Sequence, residues 1–72
     1  MKTTWELGQK LWDSESVTFS NEFDVWDFKL DDDGNNISMM KNSRVIKIAK
    51  NTHKTLEFIL DKIKTHKLEL DN

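Results

Sequence analysis

Apolar and polar positions change period twice along the chain. Near the N-terminus, Trp5, Leu7, Gly8, Leu11 and Trp12 fall within one broad arc of a helical wheel, and Thr3 followed by Glu6 fits a capping box. This predicts a short helix over residues 4–13. A hairpin of two short strands turning at Gly8-Gln9 is the competing reading, because glycine tolerates the positive φ of a tight turn.

From Val17 onward the side chains become β-branched and aromatic, and Trp26, Phe28 and Leu30 alternate with Asp27 and Lys29 as in a half-buried strand. Phe19, Phe23, Trp26 and Leu30 also fit a helical stripe, so a helical turn before this strand stays open. Phe23 and Val25 share one parity while Trp26 and Phe28 have the other, which points to a bulge or to a strand buried on both sides. Asp31-Asp32-Asp33-Gly34-Asn35-Asn36 has the residue types of a tight reversal. Ile37 to Met40 then returns, Lys41-Asn42-Ser43 turns again, and Arg44 to Ala49 forms a third strand.

After Ala49 the period becomes helical. Leu56, Ile59, Leu60 and Ile63 make a stripe that Lys67 and Leu70 continue, with Asn51 or Thr52 as N-cap. Lys62, Lys64, His66 and Lys67 crowd the last turns, where cations complement the negative end of the helix dipole. Phe58 lies almost opposite the stripe. The predicted fold is therefore α+β: a short N-terminal helix, a three-stranded antiparallel β-meander, and a C-terminal helix packed on one sheet face over Trp26, Phe28, Val45 or Ile46, and Ile48.

The chain has 72 residues, room for a single small domain, and no cysteine, so disulfides and thiolate chemistry are excluded. With no apolar run of signal-peptide or membrane-spanning length, a cytoplasmic protein without a membrane partner is expected. Charge is divided unevenly. Residues 1–36 hold three cations against nine carboxylates, net −6, and residues 37–72 hold eight against four, net +4.

Candidate chemistry is sparse. If Gly34 takes position 6 of an EF-hand loop, Lys29 and Met40 fall at positions 1 and 12, so the first and last calcium ligands are missing. His53 and His66 lie thirteen residues apart at opposite ends of one predicted helix, roughly 20 Å, too far to share a metal. Phosphate loops, zinc motifs and nucleophile elbows are absent from the sequence. Neither catalysis, a metal nor a cofactor is expected.

Two surfaces remain. Aromatic side chains dominate interface energetics, so Phe58 and whichever of Trp5, Trp12 and Trp26 the core leaves out are candidate protein contacts, with core as the expected place for each tryptophan. The acidic residues Asp24, Asp27, Asp31, Asp32 and Asp33 join them. An aromatic on the uncovered helix face also makes a second copy of the chain a candidate partner. Arg44, Lys47, Lys50 and Lys54 instead suit a phosphate-tracking face, or stand as solvated lysines and partners for the acidic half. With one arginine among eleven cations and a pI near 5.6, the protein contact is the better expectation.

Met40-Lys41-Asn42-Ser43-Arg44-Val45-Ile46-Lys47-Ile48 followed by a C-terminal helix resembles the wing and last helix of small excisionases, although no helix-turn-helix pattern precedes it. As a whole, a short Lys- and Asn-rich chain with an acidic N-terminal half, an Asp-Asp-Gly hairpin and a terminal helix is similar in style to small phage and mobile-element inhibitors, some anti-CRISPR proteins and inhibitors of host DNA enzymes among them. That likeness implies a non-catalytic protein-binding module acting on a partner protein, including one that itself binds nucleic acid. The alternative is a nucleic-acid-binding regulator that uses the basic half.

Overall fold

Thr3 opens the first helix as an N-cap, its side chain accepting from the Glu6 backbone N–H at 3.1 Å, and α1 runs over Thr4–Ser14. Glu15 closes it in the left-handed conformation, donating back to the Leu11 carbonyl at 2.8 Å. The hairpin reading is thereby overturned. The computed structural model describes residues 3–71.

Five strands follow: β1 (Ser16–Ser20), β2 (Val25–Leu30), β3 (Asn36–Lys41), β4 (Arg44–Lys50) and, after helix α2 (His53–Thr65), β5 (Glu69–Leu70). They form one antiparallel sheet in the order β4-β3-β2-β1-β5. The expected three-stranded meander is thus the β2-β3-β4 part of a larger sheet. β1 was hidden because Ser16-Val17-Thr18-Phe19-Ser20 offers only two apolar residues, both of which are buried.

The other missing strand depends on how α2 ends. Thr52 caps its start by accepting from the Thr55 N–H, and its last turn closes as a Schellman motif. Lys67 adopts φ 51°, its N–H reaches the Lys64 carbonyl at 3.3 Å, and the Leu68 N–H reaches Ile63 at 2.9 Å. Leu68 then joins Ile63 in the core. Lys67 and Leu70 therefore do not extend the helix; Leu70 pairs with Phe19 in β5.

Both helices cover the same sheet face, so all the buried apolar residues form one cluster. Leu7 and Leu11 of α1 and Ile59 and Ile63 of α2 meet Val17, Phe19, Trp26, Phe28, Leu30, Ile37 and Met39. Apart from Val25, the opposite face is polar on β1 and β2, with Ser16, Thr18, Asp27 and Lys29, as expected of an antiparallel sheet with one wet side. Phe23 lies outside β2 in an exposed turn, so the parity conflict around Val25 disappears and β2 is buried on one side only. No described helix is long and apolar enough to cross a membrane.

A bulge sits in β4. Met39 opposes Lys47 and Met40 opposes Val45, leaving Ile46 as the extra residue. Lys47 and Ala49 then share the helix-covered side with Met39 and Ile37, while Ile48 sits opposite Ser38 on the other face. Val45, Ile46 and Ile48 are consequently exposed rather than covered by α2.

Candidate functional site

Of the three tryptophans only Trp26 enters the core; Trp5 and Trp12 keep 74% and 65% of their surface exposed. The expectation that each is a core residue is overturned for these two. Leu7 and Leu11 suffice to seat α1, and the two indoles lie seven residues apart on another side of the helix, about 10.5 Å along its axis. Between them, Gly8 lets α1 approach α2 so closely that a Cβ there would sit 3.3 Å from Leu56 Cδ1. Trp5, Gly8, Trp12, His53 and Leu56 line the resulting shallow groove.

Trp12 also rests on the β2–β3 turn. A Cβ on Gly34 would lie 2.8 Å from Trp12 Cζ3, and Gly34 holds φ 74°, so glycine is required here on two counts. Asn51 donates to the Gly34 carbonyl at 3.0 Å, tying the turn to the start of α2. Trp12, Glu15, Asp31 and Asp32 line one continuous depression. Aromatic and acidic groups from three elements thus form a single surface.

Asp31 has a structural task in that turn. Its carboxylate accepts from the Asn35 backbone N–H and from Asn36 Nδ2, both at 2.9 Å. The Asn36 side-chain bond, assisted by backbone N–H groups, outweighs desolvation and holds its pKa below the ordinary 3.8. A depressed folded-state pKa stabilises fully above the unfolded value and is lost as pH falls through the folded one. Turn amides near Asn35 and Asn36 are therefore expected to lose hydrogen-exchange protection as pH drops below 3.8, and Asp31→Asn to abolish that step. A carboxyl titration of Asp31 by NMR at or above the ordinary value would contradict it.

The remaining acidic candidates lie elsewhere. Asp24 accepts from Asn42 Nδ2 at the far end of β2, and Asp27 accepts from Thr18 Oγ1 on the polar sheet face. Only Asp31, Asp32 and Asp33 share the turn. Among the described residues no group of His, Asp and Glu is arranged to hold a metal. His53 links Thr4 Oγ1 through Nδ1 and Glu57 Oε1 through Nε2, both at 3.2 Å, a hydroxyl–imidazole–carboxylate row. His53 and Glu57 are largely exposed, so the row joins the helix starts at the strength of a surface pair, about 0–1 kcal/mol.

No protein family model, curated protein or solved structure matches this chain. Function must therefore be argued from its own surfaces.

Phe58 and two of the basic candidates, Lys47 and Lys54, come together between α2 and β4. Lys47 Nζ lies 4.6 Å and Lys62 Nζ 5.1 Å from the centre of the Phe58 ring, which is 37% exposed. Lys54 lines the same depression, and Arg44 and Lys50 end the adjoining strand. Among the described residues the one ion pair is His53–Glu57, so these lysines do not serve as salt-bridge partners for the acidic half. Sequence reasoning found Phe58 by its misfit on the helical wheel, but the Trp5–Trp12 surface had no local signal beyond the tryptophans themselves.

Proposed function

We propose that this chain is a non-catalytic protein-binding module of the small inhibitor or regulator type, covering a basic surface of a partner protein with the α1 tryptophans and the acidic β2–β3 turn. The observation that supports the reading is the exposure of Trp5 and Trp12 on one surface beside Asp31 and Asp32. A tryptophan buries on the order of 150–250 Å² in a contact, so two supply a large share of the about 800 Å² per partner in a stable interface. Indoles give the short-range energy, and the carboxylates give steering toward cations. A protein groove that ordinarily holds nucleic acid has the matching charge, and covering it would block that ligand.

Panning a displayed library of random peptides against the immobilised protein tests this. Enrichment of Lys- and Arg-rich sequences with apolar anchors is expected, with affinity falling at least tenfold on Trp5→Ser together with Trp12→Ser. Asp32→Asn with Asp33→Asn should slow association and flatten its salt dependence, since neither carboxylate is needed to hold the turn as Asp31 is. Selected peptides that ignore both sets of substitutions would overturn the assignment.

A further inference from the structure

The edge strand β4 carries a different binding surface, argued without reference to the tryptophans. β4 is the outermost strand, seven residues long, whereas the other edge is the two-residue β5. An edge strand presents a row of backbone N–H and C=O groups with no further strand to receive them. Its side chains are sorted by face. Val45 and Ile48, together with Ile46 at the bulge, are 57%, 64% and 52% exposed, with Lys50 at the end of the Val45–Ile48 face opposite Asn36, while Lys47 and Arg44 share the other face with Met39 and Lys41. Alongside that face, α2 contributes Lys54, Phe58 and Lys62 at four-residue spacing; of its carboxylates, Glu57 pairs with His53, and Asp61, three residues from Phe58, borders the row.

We propose that the free edge of β4 receives an extended polypeptide strand whose acidic residues alternate with apolar ones. Strand addition satisfies the edge backbone, and the period of two sends alternate side chains of the incoming strand to opposite faces. Its acidic residues meet Lys47, Arg44 and the lysines around Phe58; its apolar residues cover Val45 and Ile48. A second copy of β4 does not fit, because β4 has three cations and no carboxylate, so a paired ribbon would bring six cations together. Nucleic acid would meet the cations but leave the apolar side chains and the directional backbone edge without partners.

The test is an NMR titration of the full chain with an end-blocked eight-residue peptide alternating glutamate and valine. Saturable shifts across Arg44–Lys50 are expected, with slower exchange of β4 amides. Lys47→Glu should weaken the peptide at least tenfold, an N-methylated peptide should not bind, and a lysine–valine peptide should not bind. Trp5→Ser with Trp12→Ser should leave the titration unchanged, which separates this surface from the one proposed above. Absence of shifts at millimolar peptide would show that the lysines only guard the edge against self-pairing, and would overturn the proposal. So would equal binding by the N-methylated peptide, or single-stranded DNA shifting these amides where the peptide does not.

Discussion

Replacing Phe28 with alanine is expected to remove most of the stability of this domain. Phe28 is fully buried on β2, the central strand, with Val17 and Met39 directly beside it on β1 and β3. Its ring meets Phe19 edge-on at 6.0 Å and stacks with Trp26 at 6.3 Å. Truncating such a side chain costs about 3–5 kcal/mol, because the lost transfer energy is joined by a cavity the neighbours only partly fill. A 72-residue chain has about 4–11 kcal/mol in all, at roughly 0.05–0.15 kcal/mol per residue. The urea midpoint followed by circular dichroism should therefore fall by about 2 M or more, given a slope of about 1–1.5 kcal/mol/M for so small a domain. Val25→Ala, three residues away on the exposed face, should move it by less than a quarter as much. Similar shifts for the two would mean that β2 does not sit in the register described.

The parts of this architecture readable from the residues are those decided within a few positions. Thr3 and Thr52 cap the helices they precede, and Asp31 to Asn36 reverses the chain with Gly34 at positive φ. Lys41 to Arg44 turns through Asn42 and Ser43 at φ 52° and 69°, the primed geometry that suits a two-residue hairpin. Local chemistry is enough for each. What stayed hidden depends on which surface another element happens to cover. The alternation of Ile46 and Ile48 with Lys47 reads as a strand burying its apolar side, yet both helices occupy the other face and a bulge at Ile46 shifts the parity.

The candidate sites follow the same division. Phe58 could be found by wheel geometry because its misfit is internal to α2, whereas its contact with Lys47, a residue of another element, has no sequence signal. Trp5 and Trp12 fit the apolar arc of α1 as well as Leu7 and Leu11 do. The choice among them is made by the Leu56 contact at Gly8 and by the turn at Gly34, both remote in sequence. The acidic group divides for a related reason: β2 separates Asp24 from Asp31 by its full length, and no pattern within the run shows that one carboxylate holds a turn while its neighbours face solvent.

Two adjacent positions on α2 offer the sharpest contrast between holding the fold and presenting a surface. Ile59 is completely buried among residues of both helices and the sheet, so Ile59→Ala is expected to cost about 2–5 kcal/mol and to leave a domain of this size largely or wholly unfolded on warming to 37 °C. Phe58 keeps over a third of its surface, and its near partners include the lysine chains of β4 and α2. Phe58→Ala loses two cation–π contacts of about 0.5–1 kcal/mol each at exposed sites and about 1 kcal/mol for the covered part of the ring, so roughly 2–3 kcal/mol in all, without opening an enclosed cavity. Thermal unfolding of the two variants side by side reads the difference. If Phe58→Ala proves as damaging as Ile59→Ala, the aromatic is a core residue and the row beside β4 is no free surface. If it is mild, the same variant can be carried into the peptide titration, where loss of affinity without loss of fold would place Phe58 in the strand-binding edge.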